Sequence, residues 1–580
     1  MMKKIFSMIK NLCAGVGAIV LVLLLILLVS AYYTLNSRNI EDKSFLMVDL
    51  NQSFAENSGS GVLNDFFGEK NISFLELLKV LELAASDNRI DGLVADINIT
   101  SLDLAQTQEL AEAVKKFRSS GKKTYVYSSG FGPFGYGNRE YYLASFFDEI
   151  YMQPHTYIGL TGISIEVPFV RGVLEKLGIN PEFYSRYEYK TAMASLTDET
   201  MSSYYRSELN GMASDIAETI GEGISQNRKL KTDIKQIINT APIKAENGIK
   251  EGLIDGIMYR QELEEKLKKD GVSGFVDVID YATLLQPNEG DIPVIAYLSL
   301  NGVIAKEADF TEIGEDSTIS SKNVLADIQE ISEIENLKAL VLRINSPGGE
   351  YNAADEIYFA LQKLKKDKNI PIIISQGGYA ASGGYFISLA GDYIFSEPMS
   401  ITGSIGVLGG KISLEKMWQK LGVNWDEVKI GNNSDFLSSN KNFSPQEVKI
   451  FNESLDDVYN DFTAKVTENR KAVKNIDEVA RGRVWTGKQA KDLGLVDALG
   501  GLKEALLYAH QQSGINPDEP FELAEFPKPK SDLEKITELW SKSKISTDKI
   551  FGAVGVDIEK INLFKRWQYD MVLIPFEINM

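Results

Sequence analysis

Ser382 stands in Ala380-Ala-Ser-Gly-Gly384, after an apolar strand-like run, Ile372–Ser375, and the glycine-rich Gln376-Gly-Gly-Tyr. Small neighbours leave its hydroxyl accessible, and Tyr385–Ala390 can form a helix behind it. Free N–H groups at that helix start would favour a developing negative charge. The position also suits an ordinary serine N-cap. It is not a Gly-x-Ser-x-Gly elbow, because Ala380 occupies the first glycine position. A nucleophilic serine needs a base, and the chain has two histidines, His155 and His510, neither in a catalytic motif. A lysine serves instead if it is neutral near pH 7, about three units below its reference value of ~10.4. Lys190, among Tyr184, Tyr187, Tyr189, Ala192 and Met193, has suitably apolar surroundings, although a lone lysine is also read as a solvated side chain. Glu188 would share its face if the segment were a strand. Gly348 and Gly349, in Asn345-Ser-Pro-Gly-Gly349, could turn backbone N–H groups toward an oxyanion or simply make a tight turn. Ser404, in Thr402-Gly-Ser-Ile-Gly406, could hold a neutral lysine in place.

These residues lie in a duplicated chain. Tyr141–Pro154 reads like Tyr385–Pro398, and Leu177–Asn180 like Leu421–Asn424, each displaced by 244 positions (141 to 385, 177 to 421). On that offset Ser382 falls on Asn138, and Lys190 falls on Ser434. One copy offers a nucleophile without a base, the other a base without a nucleophile. The strands that must position them also recur. Ser44–Leu50, Asp91–Asn98 and Lys123–Ser128 match Pro293–Leu300, Leu337–Asn345 and Ile370–Ser375, with helical stretches Ser101–Ser119 and Ala353–Lys366 between. Short apolar strands alternating with helices predict parallel α/β units. Gln286–Asp291 reads as the linker, and four prolines between Ser513 and Asp532 mark a change to a tail with a possible added strand at Met571–Pro575. The expected divisions are 1–36, 37–285, 286–515 and 516–580.

The bulk figures remove several classes. There are 61 Lys and Arg against 81 Asp and Glu, a net charge of −20, with no basic surplus for nucleic acid. The single cysteine, Cys13, forbids an intramolecular disulfide and thiolate metal clusters. No cofactor or metal is expected. Gly130–Gly135 matches a dinucleotide Gly-x-Gly-x-x-Gly spacing, but Pro133 lies inside the turn and the stretch corresponds to the region before Ser382. Leu12–Tyr33 is a 22-residue run without a charge, preceded by Lys3, Lys4 and Lys10. Its helical length of roughly 33 Å would cross a bilayer core, with the N-terminus cytoplasmic and the body on the far side. A signal peptide cleaved near Val29-Ser30-Ala31 is the competing reading, but the run exceeds the h-region of about 7–15 residues.

Together, Tyr189-Lys-Thr-Ala, Asn345-Ser-Pro-Gly-Gly, Ala380-Ala-Ser-Gly-Gly-Tyr and Thr402-Gly-Ser-Ile-Gly resemble the long form of bacterial signal peptide peptidase A. The resemblance covers nearly the whole chain. It implies two tandem ClpP/crotonase-like α/β repeats with parallel sheets and flanking helices, behind one transmembrane helix. It implies a membrane-bound serine endopeptidase that digests signal peptide remnants and similar hydrophobic peptides. In that reading Ser382 is the nucleophile, Lys190 the general base, Gly348 and Gly349 line the oxyanion hole and Ser404 orients the lysine. It also implies a homotetramer held by residues 12–33 in the inner membrane, with its catalytic body periplasmic. Two other classes stay open: a catalytically silent membrane scaffold, and a crotonase-type acyl-CoA enzyme, although CoA is cytoplasmic.

Overall fold

The computed structural model describes residues 40–56, 72–132, 135–285, 292–307, 318–516, 519–528 and the backbone of 571–572. The apolar run Leu12–Tyr33 lies outside them. Among the described residues no helix is long and apolar enough to cross a membrane.

The first repeat runs β1 (Ser44–Asp49), α1 (Phe74–Ser86), β2 (Ile90–Asp96), α2 (Leu104–Ser119), β3 (Lys123–Ser128), α3 (Asn138–Ala144), β4 (Glu149–Met152), α4 (Arg171–Leu177), β5 (Asn180–Ser185), α5 (Ser203–Arg228), β6 (Gly256–Ile257) and β7 (Phe275–Asp277). Six of its strands form a parallel sheet in the order β6-β4-β3-β2-β1-β7. The second repeat runs β8 (Val294–Asn301), β9 (Val303–Ala305), α6 (Ser321–Glu333), β10 (Leu337–Ser346), β11 (Gly349–Glu350), α7 (Tyr351–Lys368), β12 (Ile372–Ala381), α8 (Gly383–Ser388), β13 (Tyr393–Ser396), β14 (Ile401–Gly403), β15 (Leu408–Ser413), α9 (Glu415–Leu421), α10 (Pro445–Asn469), β16 (Val484–Thr486), β17 (Ala498–Leu499), α11 (Leu502–Gln512) and β18 (Glu522–Phe526); β19 (Met571–Val572) follows. Its sheet is ordered β16-β14-β12-β10-β8-β18, with β13 beside β12 and β17 beside β13. β18 adds parallel to β8, as β7 does to β1, so this sheet extends past residue 515 into the stretch assigned to the tail.

The central strands are apolar on both faces because helices cover both. Leu340, Val341 and Leu342, and Ile372, Ile373 and Ile374, are all fully buried. Helix starts are set locally: Ser73 with Glu76, Asp103 with Gln106, and Ser444 with Glu447 each form a capping box.

The repeats are not beads on a string. α2 of the first packs on the second sheet, where the fully buried Arg343 on β10 donates to both oxygens of Glu109 (2.6 and 2.9 Å) and to Glu56 (3.2 Å). Glu109 Oε1 also accepts from the Leu502 N–H at 2.6 Å. Farther along, β5 of the first repeat pairs antiparallel with β15 of the second, from Leu408 opposite Ser185 to Ser413 opposite Asn180. These two joins carry the lysine segment across to the serine.

Candidate active site

Ser382 sits between β12 and α8 with a backbone φ of 59°, an uncommon conformation for a residue with a side chain. Its N–H donates to Gly403 O (2.7 Å), and its side chain makes no cap bond to α8. The N-cap role is therefore absent, and the hydroxyl is left for another partner. That partner is Lys190. Its Nζ donates to Ser382 Oγ at 2.7 Å, and to Ser404 O and Ser404 Oγ at 3.0 Å each. Lys190 is 5% exposed, Ser382 0% and Ser404 2%. Burial pulls the lysine down to about 7, partly opposed by the charge of Glu208, so near neutrality a large fraction is the free amine.

The segment around Lys190 is a loop and not an alternating strand, and this removes the objection from Glu188. Glu188 turns away to form a two-pronged ion pair with Arg481 (2.9 Å at closest), whose guanidinium stacks 4.7 Å above Tyr187. Gly482 backs directly onto the lysine: a Cβ there would lie 2.5 Å from Lys190 N, and its φ of 87° also favours glycine.

Gly348 and Gly349 differ in what they can offer. The Gly348 N–H is engaged with Ser346 Oγ (3.2 Å). Gly349 lies beside the start of α8, where a Cβ on Gly383 would sit 3.3 Å from Gly349 N. A Cβ on Gly349 would lie 1.9 Å from Ile304 O, so β9 and β11 can meet only at glycine. Gly349 and the first turn of α8 thus flank Ser382 with backbone N–H groups. Beyond them, β19 pairs antiparallel with both β11 and β15: Val572 opposite Gly349, and Met571 opposite Glu350 and Leu408. On the lysine side a cleft of about 530 Å³ is lined by Phe183, Met193, Ala194 and Leu408 together with polar Arg171 and Asp198.

The counterpart positions hold no such pair. Asn138 is buried, with its amide bonded both ways to the Gly162 backbone (2.8 and 2.9 Å). Ser434 is exposed and donates only locally, to Gly431 O. His510 stacks on Phe521, remote from the pair in the chain and in the sheet. Among the described residues no group of three or more His, Cys, Asp or Glu could hold a metal ion.

Similarity to known proteins gives the chain a family. Peptidase family S49 matches residues 116–272 and 364–516, once in each repeat, and the Clp protease family matches 302–400. The chain belongs to peptidase family S49. It is 30% identical to the chloroplastic serine protease SPPA of Arabidopsis thaliana over 82% of this chain and 71% of that one. Protease 4 of Haemophilus influenzae is 29% identical over 88% and 85%, and Protease 4 of Salmonella typhi 28% over 75% and 71%. It is a serine-type peptidase. Two parts of this S49 site escape a reading of the sequence: the Gly482 backing, far along the chain in a loop, and Glu208, one acid in a long helix.

Proposed function

We propose that the chain is a membrane-anchored serine endopeptidase in which Lys190 is the general base for Ser382, acting on cleaved signal peptides and similar hydrophobic peptides. The observation that carries this reading is the 2.7 Å contact between Lys190 Nζ and Ser382 Oγ inside a buried pocket. Neutral Lys190 takes the hydroxyl proton as Oγ attacks a peptide carbonyl. Ser404 and its own carbonyl hold the ammonium that results. Backbone donors at Gly349 and the α8 start stabilise the oxyanion; Gly348 shapes the turn. Lys190 then gives the proton to the leaving amine, and water releases the acyl group from Ser382.

β19 adds as an antiparallel strand between β11 and β15, and an extended peptide would pair there in the same way on displacing it. Phe183, Met193 and Leu408 give the cleft an apolar part beside the charged Arg171, Glu182, Glu188 and Asp198. The charge-free run 12–33 supports an inner-membrane anchor with the catalytic body periplasmic. Self-association, for which we propose the homotetramer, is supported by the repeat symmetry. The 244-residue offset carries the β5–β15 pairing onto residues 424–429 and 164–169. Residues 423–429 and 165–169 are outside every ladder, Val428 is 100% and Trp425 57% exposed, and 163–169 alternate half-buried and exposed as a strand does. Pairing 424–429 of one copy with 164–169 of the next repeats the internal join between copies.

Ser382→Ala and Lys190→Ala are each expected to abolish hydrolysis of a hydrophobic peptide, and Ser382→Ala to abolish labelling by a serine-directed phosphonate, with circular dichroism unchanged. A folded Lys190→Ala variant with full activity refutes the dyad.

A further inference from the structure

Glu208 lies on α5 of the first repeat and is 4% exposed. Its Oε1 accepts the Val484 N–H at 2.7 Å. Val484 belongs to β16, the edge strand of the second sheet, so no further strand is available to take that N–H. Two turns along the same helix, Asp215 accepts from the Thr486 hydroxyl on the same strand. α5 therefore presents a carboxyl to each of two β16 residues and closes the edge across the repeat boundary.

What β16 holds is the lysine's own cradle. Val484 pairs with Gly403, whose carbonyl accepts the Ser382 N–H. The adjacent Arg483 carbonyl accepts the Ser404 N–H (2.8 Å), and Ser404 holds Lys190 through both its hydroxyl and its carbonyl. One carboxyl thus stands behind both partners of the proton transfer. It is also the acid whose charge acts on Lys190.

We propose that Glu208 is a positioning residue for the Lys190–Ser382 pair: it anchors the edge strand that carries the lysine's partners and supplies the negative charge that balances the lysine once it holds the serine proton. This rests on the dyad reading above. The charged groups around the two are few. From the loop of the second repeat come Arg483, stacked on Tyr189 and Trp485, and Arg481, neutralised by Glu188; from α5 come Glu208 and the rings of Tyr204 and Tyr205. Burial pushes the Glu208 carboxyl up to about 8, while the Val484 N–H, Arg483 and Lys190 pull it back. Above about pH 8 it is ionised and favours the ammonium form of Lys190.

The test is the pH profile of kcat/KM for a hydrophobic peptide in Glu208→Gln. Glutamine keeps an acceptor for Val484 but carries no charge. At pH 9, where the wild-type carboxyl is ionised, kcat is expected to fall about tenfold with KM within about twofold, while the acid limb near pH 7, where that carboxyl is largely protonated, stays in place. A folded Glu208→Gln enzyme with wild-type kcat at pH 9 overturns the proposal and leaves Glu208 a strand anchor. Should the variant not fold, Glu208→Asp keeps the charge but shortens the reach to Val484: kcat is expected to fall by about threefold or more with KM within about twofold, and a wild-type kcat overturns the proposal. An active Lys190→Ala enzyme refutes the dyad itself; an inactive one beside a Glu208→Gln enzyme with wild-type kcat at pH 9 refutes only the role of Glu208.

Discussion

At the residue scale, function has been placed where stability is lost. Holding Lys190 near 7 instead of about 10.4 disfavours its charged form by roughly 4 kcal/mol at neutral pH. Between about pH 7 and 10.4 the unfolded lysine carries a proton that the folded one does not. Unfolding therefore takes up protons, and this residue's contribution to stability rises with pH across that window. Lys190→Met, which fills the same space without a charge, should raise the unfolding midpoint at pH 7 and abolish activity. Its advantage over wild type should shrink steadily as pH approaches 10. Thermal unfolding of the two proteins at pH 7, 8.5 and 10 checks this; a variant less stable than wild type at pH 7 contradicts the buried-amine account. The duplication marked Ser382 and Lys190 in the sequence as positions where the copies differ, and the family resemblance gave each its role. Glu208 was not legible there. Nothing in its neighbours marks it, and its importance arises only when α5 lies against an edge strand 276 residues away.

At the element scale, strands and helices were largely readable from apolar runs and capping residues, while the joins between repeats were not. The β5–β15 ladder and the seat of α2 on the second sheet are contacts between residues more than 200 positions apart, and no local pattern signals them. The same holds for β18, which completes the second sheet from a proline-rich stretch that reads as tail. The Arg343 cluster tests how these joins act. Glu109→Ala leaves a fully buried guanidinium with Glu56 and Ser375 as its remaining side-chain partners and strips the Leu502 N–H of its acceptor. A destabilisation of about 3 kcal/mol is expected from urea unfolding, with activity falling in step as the two halves of the dyad lose their alignment. Replacing Arg343, Glu109 and Glu56 together by Met, Leu and Leu should restore most of that stability, because no uncompensated charge remains. A triple variant as unstable as Glu109→Ala would mean that the cluster's hydrogen-bond geometry, and not the orphaned charge, sets the cost.

At the scale of the whole molecule, the duplication explains why one chain has one site. Lys190 crosses from the first repeat to the second through β5, and on the proposed self-association the same crossing from the second repeat would lead to a neighbouring copy. A neighbouring copy that accepts residues 424–429 on its 164–169 segment would bring Ser434 toward Asn138, a pair with no base and no hydroxyl in the nucleophile's place. Self-association would then alternate working and silent sites and add no catalytic group. The prediction is specific. Val428 is fully exposed in the single chain and corresponds to Tyr184 of β5, so its partner across the join would be Ile165. Val428→Lys costs the isolated chain little, because its side chain touches only solvent, but it would set a charge against Ile165 in the assembled form. Light scattering of the detergent-solubilised protein is expected to give four times 64.4 kDa for wild type and a much lower mass for Val428→Lys. Hydrolysis of a short peptide should persist in the variant, because Ser382, Lys190 and Ser404 all come from one chain. An unchanged mass would place the contact between copies elsewhere. Loss of short-peptide hydrolysis on dissociation would show that the neighbouring copy shapes the working site as well.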